Sequence, residues 1–144
     1  MIPAIQTQTQ EESVSQMRIV PDFYVEPTST TPLIQFDPST RVLHFEGKSS
    51  PENAPKFYEA IHDWFKSDEF NGASVTVNMS LTYFNTSSCK CLFIIFKKLN
   101  EFRSSGMDVL VNWFYEEDDD DMIEAGEDFS EIFDMNFNLI ELED

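Results

Sequence analysis

The chain is poor in the residues that most small-molecule chemistry needs. It has only 4 glycines and no glycine-rich run, so the usual sign of a phosphate-cradling loop is missing. No Gly-x-Ser-x-Gly elbow occurs either. Cysteine is limited to Cys89 and Cys91. One residue apart in a predicted helix, they suit no disulfide, and no second ligand pair stands at zinc spacing. They read as small core residues and as free thiols of a reducing compartment. His44 and His62 lie far off in sequence. Bases are scarce too: 9 Lys+Arg face 27 Asp+Glu, for a net charge of −18. Nucleic acid and anionic membrane surfaces both require a cationic footprint, so neither is an expected partner. No apolar run approaches the roughly 20 residues of a membrane helix. Met1-Ile2-Pro3-Ala4 is followed by Gln, Thr and Glu, unlike a secretory leader. The expectation is a cytoplasmic protein without cofactor or metal.

What is present is enough for one folded unit. The chain has 144 residues, 41% of them apolar, and 14 phenylalanines to fill a core. Residues 1–30 are polar and contain proline, and are assigned to a flexible tail. Residues 31–144 are assigned to a single domain. Phe23, Tyr24 and Val25 could add an edge to it, although Pro21 and Pro27 limit a strand there.

Periodicity then gives the elements. Leu33 to Phe36 and Arg41 to Glu46 read as a hairpin about the turn Asp37-Pro38-Ser39-Thr40. Ser50 before Pro51 reads as a helix cap, followed by the stripe Phe57, Ile61, Trp64 and Phe65. Asn71-Gly72 would close that segment. Ala73 to Leu81 alternates as a strand, and a helix with Leu92, Ile95, Phe96, Leu99 and Phe102 runs to about Ser105, with Gly106 as its stop. Met107 to Tyr115 is apolar on both faces, enough for a central, covered strand, with helices over one face of the sheet or both. Ile123, Phe129, Ile132 and Phe133 suggest a third helix, interrupted or loosened at Gly126. Phe137 to Leu142 reads as a final edge strand. The order is β-β-α-β-α-β-α-β, an α/β fold with a mixed sheet and about three covering helices.

Between the strand and the second helix stands Asn85-Thr86-Ser87-Ser88. A short hydroxyl there can accept a hydrogen bond from the first helical turn and act as a cap. The same place suits a phosphoryl group, because a helix N-terminus attracts anions. Phosphorylation would add roughly −1.5 to −2 charge to that surface. A hydroxyl nucleophile would instead need a positioned base, and nothing in the sequence brings His62 to the cluster. No enzyme is expected. The acidic run Glu116 to Asp121 lacks the glycine and ligand spacing of a calcium loop. It reads as a solvated loop or the start of a helix, where acids complement the dipole, or as a docking surface for a basic partner.

Two segments, Ser50-Pro51-Glu52-Asn53-Ala54 and Leu81-Thr82-Tyr83-Phe84-Asn85-Thr86-Ser87-Ser88-Cys89-Lys90, resemble the SiaC family of bacterial regulatory phosphoproteins. The likeness covers about residues 32–142. It implies a fold similar to the STAS domains of anti-sigma factor antagonists. It also implies Thr86 as the phosphoacceptor, with Ser87 and Ser88 as alternatives and Asn85 orienting the loop. An anti-sigma-type Ser/Thr kinase would phosphorylate the threonine and a PP2C-type phosphatase would reverse it. The unmodified protein would bind and stimulate a diguanylate cyclase, raising cyclic di-GMP and favouring biofilm. Tyr83 and Phe84 flank the cluster as candidate contacts, and Glu52 and Asn53 join them through the resemblance. An anti-sigma factor antagonist controlling transcription is the alternative, although Ser88 stands where such antagonists carry glycine.

Overall fold

The computed structural model describes residues 23–143. Its elements follow the order β1 (Phe23–Val25), β2 (Leu33–Asp37), β3 (Val42–Ser49), α1 (Ala54–Phe65), β4 (Ser74–Phe84), α2 (Thr86–Ser104), β5 (Asp108–Tyr115), α3 (Asp120–Ile132) and β6 (Asn136–Glu141). The strands form one sheet in the order β1-β2-β3-β4-β5-β6. Chain order and spatial order are therefore the same. The first two pairings are antiparallel and the last three parallel, and each parallel pair is joined through a helix, as such pairs require.

The expected alternation is present, with β1 added in front of it. That strand falls inside the segment assigned to the tail, whose residues 1–22 lie outside the described residues. An edge strand bonds on one side only, so three residues between Pro21 and Pro27 suffice. Phe23 pairs with Phe36, and its ring stacks on Trp64 of α1 at 4.9 Å.

One face of the sheet carries the core. Ile34, Phe36, Leu43, Phe45, Val77, Met79, Val111 and Trp113 alternate inward and are buried. All three helices lie on that face: Trp64 of α1 meets Phe36, while Phe96 of α2 and Phe129 of α3 meet Trp113. Among the described residues no helix covers the opposite face, which corrects the expectation for β5. Leu110, Asn112 and Phe114 are only half-buried. The reason is polar: Asn112 donates to Asn78 at 3.0 Å and accepts from Asn138 at 3.2 Å, a ladder across β4, β5 and β6.

Three further boundaries differ from the sequence reading. The cap of α1 is Asn53, not Ser50; its side chain accepts from the Lys56 amide at 3.2 Å, with Pro55 in the first turn. Ser50 is still tied to the preceding loop, its amide donating to the Thr30 carbonyl at 2.8 Å. Helix α1 also stops at Phe65, before Asn71-Gly72. Gly72 lies instead against the Arg41 guanidinium, which would be 2.6 Å from an added Cβ. Helix α3 runs through Gly126 without interruption. A Cβ there would stand 2.6 Å from Trp113 Cδ1, so the glycine makes room for the indole rather than breaking the helix.

Candidate functional site

Strand β4 continues past Leu81 to Phe84 because β3 supplies partners, Lys48 for Tyr83 and Ser49 for Phe84. The two parallel strands thus end together. The Asn85 amide then donates to the Ser49 carbonyl at 3.0 Å, fixing the point at which the chain leaves the sheet. Asn85 is extended, with φ −83° and ψ 176°. Its side-chain oxygen accepts from the Ser88 amide at 2.8 Å, and its carbonyl accepts from the Cys89 amide at 2.9 Å. Asn85 is the cap of α2, and Thr86 is the first helical residue.

This corrects the reading of the hydroxyls as caps. An asparagine amide reaches the third helical amide from the cap position, so none of the three hydroxyls is needed there. Thr86 and Ser87 are exposed, whereas Ser88 is fully buried. Ser49 donates its hydroxyl to Ser88 at 2.7 Å and is hydrogen-bonded to the Tyr58 hydroxyl at 2.7 Å. Ser49 has one proton and gives it to Ser88, so Tyr58 donates to Ser49. Burial pushes the Tyr58 phenol up to about 12. Ser88 therefore has a structural place, sealed from a modifying enzyme. Ser49 and Tyr58 were missed in the sequence, since nothing in their local pattern marks two residues as partners across three elements.

The remaining candidates divide. Tyr83 is 51% exposed, with the Lys48 ammonium 5.9 Å from its ring centre. Phe84 is half-buried and leans on Trp113, ring centres 6.1 Å apart. Glu52 and Asn53 are exposed on the approach to α1, where Asn53 is occupied as its cap. The first turns of α1 and α2 meet along a groove of about 530 Å³, lined by Pro55, Tyr58 and His62 on one side and Ser87, Lys90 and Ile94 on the other. His62, unconnected to the cluster in the sequence, thus shares a groove with Ser87. Burial lowers its pKa, reinforced by Lys98 and Lys66 and opposed by Asp63. Burial likewise raises the Cys91 thiol.

The acidic run begins a helix. Asp119 caps α3, its carboxylate accepting from the Met122 amide at 3.1 Å, and Asp120 and Asp121 occupy the first turn. Among the described residues no three His, Cys, Asp or Glu side chains are grouped to hold a metal ion. Among them, too, no helix is long and apolar enough to cross a membrane.

With this geometry in view, the relatives are informative. The profile of a family described as SiaC family regulatory phosphoproteins matches residues 25–142. An uncharacterized protein of Pseudomonas aeruginosa is 31% identical over 111 residues, which are 76% of this chain and 88% of that protein. A solved structure of the diguanylate cyclase SiaD in complex with its activator SiaC from Pseudomonas aeruginosa matches with a TM-score of 0.76 and 29% identity, over 84% of this chain and 100% of the matched chain. SiaC of Pseudomonas aeruginosa in a second structure matches with a TM-score of 0.75 and 28% identity, over 85% of this chain and 100% of that one.

Proposed function

This chain belongs to the SiaC family of regulatory phosphoproteins, and we propose that its unmodified form binds and activates a diguanylate cyclase until phosphorylation of Thr86 ends the contact. An anti-sigma-type Ser/Thr kinase adds the phosphoryl group and a PP2C-type phosphatase removes it. The protein acts in the cytoplasm by binding, with no catalysis of its own. The observation that carries this reading is the exposure of Thr86 as the first residue of a helix capped by Asn85. The likeness to an activator of a diguanylate cyclase supports the output.

The switch needs no change of fold. Thr86, Ser87 and Tyr83 are exposed around the capped turn, and with Asn85, Phe84, Glu52 and Asn53 they supply the contact surface. A dianion placed in that contact must be desolvated with no counter-charge from the cyclase. Such a charge costs several kcal/mol, roughly a hundredfold or more in affinity. Phosphopeptide mapping of protein from its native cell tests the site, the diagnostic tryptic fragment being residues 67–90. Thr86→Ala is expected to retain the cyclase in pull-downs, and Thr86→Asp to lose it. Equal binding by the two variants would refute the switch.

A further inference from the structure

The groove beside Ser87 has a chemistry of its own. Buried Tyr58 and Cys91 form its base, while Ile94 is 52% exposed at its edge. Thr86, Lys90, Ile94 and Lys98 follow one another at four-residue spacing along α2, so they form a single stripe on that helix. Thr86, Lys90 and Ile94 are exposed and Lys98 partly so. Four of the 9 Lys and Arg residues of the chain gather on this helix. Helix α2 carries Lys90, Lys97, Lys98 and Arg103 against Glu101 alone. Residues 104–144, by contrast, contain no lysine or arginine. On the facing helix, Lys56 and Lys66 offset Glu59 and Asp63. At the far end of the groove, Lys98 and Lys66 add to burial in lowering the His62 pKa, against Asp63.

We propose that the α1–α2 groove seats an apolar side chain of the cyclase flanked by carboxylates, packed on Ile94 and paired with Lys90, and that phosphorylated Thr86 takes Lys90 away from that partner. The proposal rests on the cyclase reading above and assigns it a surface. Complementarity of charge selects the occupant, because an acidic flank meets the one basic helix among the described residues, whereas a basic segment would be repelled there. The spacing supplies the coupling. Residues four apart on a helix are neighbours, so a phosphoryl group on Thr86 lies one turn from the Lys90 ammonium. A lysine paired with that group no longer pairs a partner carboxylate. One modification then adds repulsion and withdraws an attraction.

The test titrates the full, unphosphorylated chain against the purified diguanylate cyclase that it captures from its own cell. Ile94→Asp is expected to weaken binding by at least about thirtyfold, as loss of an anchoring contact does. Lys90→Glu is expected to weaken it roughly tenfold and to flatten the salt dependence. Both positions are exposed, so both variants should keep the wild-type melting temperature within a few degrees, which separates binding loss from unfolding. If both bind within about twofold of wild type while Thr86→Asp does not bind, the groove is overturned and the phosphorylation reading stands. If the wild-type chain itself binds no cyclase, the cyclase reading falls and this assignment falls with it.

Discussion

Ser49 and Ser88 are 39 residues apart in sequence and share a hydrogen bond of 2.7 Å in a buried setting. Ser49 ends β3, and Ser88 lies in the first turn of α2. With Tyr58 of α1 as the third member, the hydroxyls tie together the elements that frame Thr86.

Removing the middle hydroxyl leaves two buried groups without their partner. Ser49→Ala is therefore expected to destabilise the fold by about 1–3 kcal/mol. Urea unfolding measures this directly. A midpoint equal to that of wild type would show that the chain of hydroxyls contributes nothing to stability.

Tyr58 adds a pH dependence at the alkaline end. Its pKa is raised from 10.0 to about 12 in the folded protein. The unfolded chain then loses this proton first, so the stabilising contribution is complete below pH 10 and disappears as the pH rises through 12. Tyr58→Phe should show a shallower fall in stability across that window. Denaturant titrations at several alkaline pH values check the slope, and parallel curves would contradict the assignment.

The cap can be separated from the acceptor. Asn85→Ala loses the bond to the Ser88 amide and should cost about 0.5–2 kcal/mol. Thr86→Ala removes an exposed side chain and should stay within about 0.5 kcal/mol. Thermal melts of the two variants side by side make the comparison. A larger loss at Thr86 would mean that its hydroxyl carries the capping role.

Gly126→Ala sets helix propensity against space. Alanine gains about 1 kcal/mol in a helix interior, but the added methyl would meet Trp113 at 2.6 Å. That indole is fully buried and donates to the Met122 carbonyl at 3.0 Å, so it has little room to move. Overpacking of this kind costs about 1–3 kcal/mol. The expected net result is a lower melting temperature; an increase would show that the ring can shift.

Local pattern was sufficient for the elements whose burial follows period. The alternation in Val75, Val77 and Met79 placed β4, and the spacing of Leu92, Ile95, Phe96 and Leu99 placed α2, because one face of each is buried. Features set by distant partners were not legible. Gly126 looks like a helix break until Trp113 is beside it. The apolar flanks of β5 suggested a covered strand, yet Asn112 finds its partners on β4 and β6, on a face that no helix among the described residues covers. At the candidate site, the position of Thr86 followed from sequence, while the burial of Ser88 depended on Ser49 and Tyr58. The groove was equally invisible, since it exists only where α1 and α2 lie together.

The identity of chain order and sheet order bears on how the protein is made. Each strand that emerges during synthesis finds its sheet neighbour already present, with only a short connection or a single helix to close. Such local assembly spares the chain long searches between remote segments. The phosphoacceptor candidate emerges midway, after both strands that position it. Residues 104–144, whose charges are all acidic, are left to dock last against a sheet that is already templated.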